Sequence, residues 1–306
     1  MKIRIYAPID DVSGYAEVAR QVAIHLHYEG VEVAVHTQNW GCTLVKLHPE
    51  EEQLLCRMKK RKDKMINNLY ITVPLFFKKR EGINIGMTMS EVSGIPGNWV
   101  EYCKRIDRVI VPSKFNLKTF GQSGIDQKQL GVVPLGINHS LFTPEGNKSD
   151  FINSANNFTF LSVGERIPRK GFEFLIKAFV QEFSAQDAVC LVLKSHRNGS
   201  DYDHTGKKIK NEIQRLVRKE NKTKPPKIYL VPQTIPSQEM PDLYRMAHCY
   251  VSATRGEGWS LPVFEALLCG TPVITTNWSA YLDYLNNENA YLVDVEELET
   301  IFPKPD

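Results

Sequence analysis

Short apolar runs alternate with helical periodicity along this chain, and near the middle the alternation starts over. Residues 3–7 read as a strand, 15–28 as a helix stopped by Gly30, and 31–35 as a second strand. Further strands are expected at 84–89, 108–111 and 130–133, with helical patterns between them. The stretch 144–157 is rich in Asn, Ser, Gly and Asp and reads as a linker. Beyond it the pattern restarts, with strands at 158–163, 189–193, 228–231, 250–252 and 273–275 and helices at 172–183 and 207–220. Strands that alternate with helices argue for a parallel sheet covered on both faces. A chain of 306 residues, 42% of them hydrophobic, holds enough apolar side chain for two cores. The expectation is an α/β chain of two Rossmann-like, doubly wound domains, residues 1–145 and 146–306. A ligand is then expected in the cleft between them, beyond the carboxyl ends of the strands.

Charge and cysteine usage narrow the classes. A net charge of +3 lacks the strongly basic stripe of a nucleic-acid binder. The six cysteines form no C-x-x-C pair, which suits a reducing cytosol better than a disulfide framework. Residues 1–6 alternate like a strand and lack the apolar core of a signal peptide. No apolar run approaches the ~20 residues of a membrane span. The expected location is the cytoplasm, or the inner face of a membrane. The basic run Arg57-Met-Lys-Lys-Arg-Lys-Asp-Lys64 reads in two ways, as the charged outer face of a soluble helix or as a patch for an anionic membrane.

Three constellations carry chemistry. The first is Glu257-Gly-Trp-Ser-Leu-Pro-Val-Phe-Glu265, which follows a strand and opens a helix. Pro262 suits a first helical turn and Ser260 is a candidate cap. Unpaired amides around Ser260 and Leu261 would make an anion site, and two carboxylates suit sugar hydroxyls because each accepts several hydrogen bonds. The competing reading is a capped helix with two solvated glutamates. The second is Gly164-Glu-Arg-Ile-Pro-Arg-Lys-Gly171, where Arg166, Arg169 and Lys170 crowd a strand-to-helix turn. Cations there can neutralise a diphosphate without a metal; a solvated basic turn is the alternative. The third is Asp10-Asp-Val-Ser-Gly14-Tyr-Ala, whose Gly14 allows close approach of a ligand to backbone. It lacks the full G-x-G-x-x-G pattern, so a dinucleotide reading has little support.

In order and context these features resemble glycosyltransferase family 4, whose members have the GT-B fold. The glutamate pair matches the family's E-x7-E motif, and Gly270-Thr-Pro-Val-Ile-Thr-Thr276 is similar to its following strand. The stretch Gly86-Met-Thr-Met-Ser-Glu-Val-Ser-Gly-Ile-Pro96, with Trp99, Val111-Pro-Ser113 and Val133-Pro-Leu-Gly136-Ile-Asn138, is similar to the N-terminal half and hinge of one branch. The resemblance implies a retaining, metal-independent hexosyltransferase that takes its sugar from a UDP-, GDP- or ADP-sugar. It implies that Glu257 contacts the donor sugar and Glu265 the ribose, while Lys170 with Arg169 or Arg166 holds the diphosphate. Trp259, Ser260 and Leu261 belong to the same donor loop. Gly14 and Glu91 are the acceptor-side candidates, with a glycan or lipid-linked molecule as acceptor.

Three departures from the family stand out. Glu165 occupies the place where many members have Arg, and Ser260 the place where many have Gly. The sequence stops at Asp306, where members usually continue for several helices, so the C-terminal domain is expected to be incomplete.

Other readings carry less. Asp201-Tyr-Asp203 matches a metal-binding D-x-D but lies in a polar stretch and reads as a solvated loop. His25 and His27, two apart, cannot share a helical face. A non-catalytic sugar-nucleotide binder or scaffold of the same fold is the rival function. A Rossmann oxidoreductase would need a Gly-rich fingerprint that is not evident.

Overall fold

The expected alternation is realised twice. The computed structural model describes residues 1–40, 45, 47–62, 67–150, 157–196 and 205–298. The chain divides into two units, Met1–Gly136 and Ile137–Asp306.

The first unit runs β1 (Lys2–Ala7), α1 (Gly14–Tyr28), β2 (Glu32–Thr37), α2 (Pro49–Lys60), β3 (Asn67–Ile71), β4 (Ile83–Met87), α3 (Gly97–Lys104), β5 (Arg108–Val111), α4 (Lys114–Gln122) and β6 (Leu130–Val132). Its strands pair in parallel in the order β2-β1-β3-β4-β5-β6. The order reverses direction between β1 and β3, which opens a crevice beyond their carboxyl ends. Helix α1 starts one residue earlier than the periodicity predicts. Ser13 caps it by accepting from the Ala16 amide, and Gly30 follows it at φ 77°. A core around Tyr70, Phe77, Val109 and Phe120 fills this unit.

Strand β3 is not expected from the sequence pattern. Its run opens with two asparagines, which look like a turn. In the fold Asn68 is buried and its amide donates to the Glu81 carbonyl (3.0 Å), so the polar group is satisfied inside the sheet.

The second unit runs β7 (Phe158–Glu165), α5 (Phe172–Glu182), β8 (Val189–His196), α6 (Lys207–Lys219), β9 (Lys227–Val231), α7 (Met240–Met246), β10 (Cys249–Ser252), α8 (Leu261–Leu268), β11 (Val273–Thr276) and β12 (Tyr291–Val293). The order is β12-β11-β10-β7-β8-β9, all parallel. Numbered within the unit this is the doubly wound 3-2-1-4-5-6 order, and its switch point lies between β7 and β10. One face of the sheet packs Leu161, Val192, Val231 and Tyr250 against α7 and α8. The other packs Leu191 and Leu193 against α5 and α6. Strand β8 is therefore buried on both faces, and its apolar run follows from that. Residues 143–149 are tied to α7. Arg245 donates to the carbonyls of Thr143 (3.0 Å) and Asn147 (2.7 Å), and the Ser149 amide donates to the Asp242 carbonyl (2.9 Å).

Candidate functional site

The two loops at the second switch point are the two strongest sequence constellations. One is the β7–α5 turn, the other the loop after β10, and they are locked together by backbone contact. Pro168–Lys170 forms a single 3-10 turn, and Gly171 closes it at φ 63°. A β-carbon on Gly171 would lie 1.9 Å from the Ala253 carbonyl oxygen, so only glycine fits. The Arg255 amide donates to the Arg169 carbonyl (2.8 Å), and the Arg169 guanidinium donates to the Gly256 carbonyl (2.8 Å).

Glu257 sits where these loops meet, 5% exposed. Lys170 Nζ lies 2.6 Å from its Oε1, and Arg169 Nη1 lies 3.0 Å from its Oε2. The Glu257 amide donates to Ser279 Oγ (3.0 Å). Burial pushes this carboxyl up, but Lys170 and Arg169 outweigh it and hold the pKa at about 2. Glu257 is therefore an anion at every working pH. Of the three N–H donors on Lys170, one goes to Glu257, and the ammonium makes no other hydrogen bond among the described residues. Arg166 goes elsewhere. Its guanidinium donates to Glu212 on α6 (2.6 Å), lies 3.7 Å from Glu173 on α5, and sits over the Phe172 ring. Of the two arginines considered beside Lys170, Arg169 is the one brought to Glu257.

Helix α8 opens from this loop. Ser260 occupies its N-cap position, but its hydroxyl caps nothing. The expected cap needs extended backbone to swing the side chain under the next amides. Ser260 is instead left-handed, at φ 71° and ψ 74°. That conformation is costly for any residue but glycine, which gives a physical reason why a glycine suits this place. No hydrogen bond is made by the amides of Ser260 and Leu261 among the described residues. Trp259 is buried against Phe264 and Tyr284, and its indole N–H has no acceptor among the described residues. The Tyr284 hydroxyl donates to the Trp259 carbonyl (2.7 Å) and lies 3.1 Å from that of Ser260, which fixes the loop. Glu265, one helical turn on, accepts from the Tyr244 hydroxyl (2.5 Å). Burial and the neighbouring Glu265 hold that phenol well above its usual range.

In the first unit Gly14 is the opening residue of α1, beside the β1–β3 crevice. Glu91 follows β4. The two are linked through Tyr15. Its hydroxyl lies 3.0 Å from Thr88 Oγ1, accepts from the Met89 amide (2.9 Å) and is raised above its usual range by burial and by Glu91. Tyr15 meets Trp40 edge-on, and Trp40 stacks on Phe76. No local sequence pattern reports this aromatic group, because its members come from three separate segments, the start of α1, the stretch after β2 and the 3-10 turn after β3.

The remaining candidates resolve differently. In α2, Leu54, Leu55 and Met58 are buried, and Lys59 pairs with Asp10. Asp201, Asp203 and Lys64 lie outside the described residues. Among the described residues there is no His, Cys, Asp or Glu cluster that could hold a metal. No helix among them is long and apolar enough to cross a membrane.

Residues 157–302 match the family described as Glycosyl transferases group 1. The D-inositol 3-phosphate glycosyltransferase of Segniliparus rotundus is 27% identical over 153 residues, 49% of this chain and 32% of that protein. The mannosylfructose-phosphate synthase of Agrobacterium fabrum is 24% identical over 160 residues, 50% of this chain and 34% of that protein. The chain thus spans about a third of the length of these curated relatives. The crystal structure of HepE from Anabaena in complex with UDP-glucose superposes with a TM-score of 0.70 at 14% identity, covering 97% of this chain and 86% of that one. That likeness establishes the fold, two Rossmann-like sheets of the GT-B type.

Proposed function

From the match of residues 157–302 to the Glycosyl transferases group 1 family, we propose that this chain belongs to that family and moves a hexose from a nucleotide-diphosphate sugar to a glycan or lipid-linked acceptor. The observation that carries this reading is the pairing of Lys170 and Arg169 on one buried glutamate at the switch point of a doubly wound sheet. Two cations face one carboxylate, so the turn keeps a net positive charge for an anion. The Glu257 carboxylate keeps both cations in place.

This geometry supports the following roles. Lys170 and Arg169 hold the diphosphate and stabilise its growing charge as the donor bond breaks. The amides of Ser260 and Leu261 add donors at the start of α8. Glu257 accepts from the sugar hydroxyls. Glu265, oriented by Tyr244, accepts from the ribose. The bond from the anomeric carbon to the diphosphate oxygen breaks with its electron pair on the phosphate. The acceptor oxygen bonds to that carbon, and its proton passes to a phosphate oxygen on the same face. The anomeric configuration is then retained, and no metal is required. The first unit, with Gly14, Tyr15 and Glu91, binds the acceptor. The place of action is the cytoplasm, at the inner membrane face where the acceptor is lipid-linked.

A donor panel of UDP-, GDP- and ADP-sugars tests the reading. Binding is read by thermal shift, since a ligand of the folded state raises its apparent stability. Release of nucleotide is then measured in the presence of a chelator, and the product anomer is read by NMR. The expected result is binding of one donor, chelator-resistant turnover and a retained anomer. Binding with no turnover on any acceptor would favour the non-catalytic binder, and an inverted product would remove the mechanism.

A further inference from the structure

One buried lysine in the second unit has no partner among the described residues. Strand β8 reads Val-Cys-Leu-Val-Leu-Lys-Ser-His, and Lys194 is 6% exposed. Among the described residues it makes no hydrogen bond and no ion pair. Burial pushes its ammonium down to about 8, so it remains mostly charged at neutral pH. A buried charge without a counter-charge opposes folding. A methionine of similar length would fill the same space without that cost.

Its place in the fold says what the charge meets. Side chains on a strand alternate, so Lys194 shares the face of Val192, which packs with Leu161, Val231, Tyr250 and Val263 under α7 and α8. Lys194 lies opposite Val163 in the β7–β8 register, two residues before β7 ends at Glu165 and gives way to the basic turn. The Tyr250 hydroxyl donates to that same Val163 carbonyl (3.3 Å). Burial holds the Tyr250 phenol well above its usual range, and the nearby Glu257 and Glu265 add to the rise. Lys194 is thus near the carboxyl end of β8, on the face covered by α8, the helix that carries Glu265, and one strand from β7 and its turn. Arg169 and Lys170 share one carboxylate and leave the turn a single net positive charge. A diphosphate diester carries one negative charge on each phosphorus.

We infer that Lys194 is a further ligand of the donor's diphosphate, supplying the second positive charge from β8. The inference rests on the reading of this unit as a nucleotide-sugar site. It predicts opposite effects of one substitution on binding and on stability, which a structural lysine would not show. The test titrates UDP and uridine into the intact wild-type chain and the Lys194→Met variant by calorimetry, with thermal unfolding of both in the absence of ligand. If GDP or ADP is the nucleotide that binds, it is used with its own nucleoside. The expected result for Lys194→Met is an affinity for the diphosphate lower by about 10- to 100-fold, an unchanged affinity for the nucleoside, and a higher unfolding temperature. Unchanged diphosphate affinity overturns the inference while leaving the donor reading intact. So does an equal loss for diphosphate and nucleoside, or a lowered unfolding temperature. A wild-type chain that binds none of UDP, GDP and ADP overturns the donor reading and this inference with it.

Discussion

The carboxylate of Glu257 is buried and ionised together, because Lys170 and Arg169 hold it from both oxygens. Its pKa in the fold is about 2, against an ordinary 4.5. The unfolded chain therefore takes up the proton first on acidification. The stabilisation, about 3 kcal/mol, is complete above about pH 5 and fades as the pH falls toward 2. Glu257→Gln is expected to lose that amount at pH 7, and the gap between the urea midpoints of the two chains should shrink as the pH falls from 5 toward 2. Two backbone positions give predictions of opposite sign. Gly171→Ala drives a methyl into the Ala253 carbonyl at φ 63°, and a large fall in melting temperature or loss of soluble protein should follow. Ser260→Gly relieves a left-handed backbone worth about 1–2 kcal/mol but adds about 0.5–1 kcal/mol of backbone freedom to lose. Its melting temperature should hold or rise slightly. The spacing of Glu257 and Glu265 was legible because both lie on one short segment. The pairing of Lys170 with Glu257 spans 87 positions, and no local pattern reports it. Lys194 does leave a signal in the sequence, a lysine near the end of an apolar strand run.

At the scale of elements, the turn after β7 and the loop after β10 act as one piece, and α7 braces it. Tyr244 of α7 orients Glu265 of α8 through a 2.5 Å hydrogen bond. Tyr244→Phe removes that donor and keeps the packing. Donor affinity should weaken by about 3- to 10-fold, read by calorimetry, with melting temperature little changed; unaltered affinity would detach Tyr244 from the site. Most strands and helices were readable because their apolar periods match their burial. Strand β3 was not, since its two asparagines look like a turn until Asn68 finds the Glu81 carbonyl. Strand β12 is three residues, exposed at Tyr291 and Val293, and leaves almost no pattern. The cap assigned to Ser260 was wrong for a related reason: residue type suggests a cap, whereas the backbone angles decide it.

For the whole molecule, the repeat of one alternation in two halves reported two doubly wound sheets correctly, because each half must bury its own strands. The second unit carries its own sheet and both of its cores. We expect residues 137–306, expressed alone, to fold cooperatively and to bind the donor nucleotide without transferring sugar, checked by circular dichroism and calorimetry. The acceptor is not legible, since the first-unit group of Tyr15, Trp40 and Phe76 is assembled from segments distant in sequence and names no ligand. The central claim is that Lys170 and the Glu257–Glu265 loop form a nucleotide-sugar site. Calorimetric titration of UDP-, GDP- and ADP-glucose into the intact wild-type chain and the folded Lys170→Ala variant tests it most directly. The account predicts that the wild type binds one of the three and that Lys170→Ala binds it at least about 10-fold more weakly. Equal affinity of the two chains, or no binding by the wild type, would contradict it.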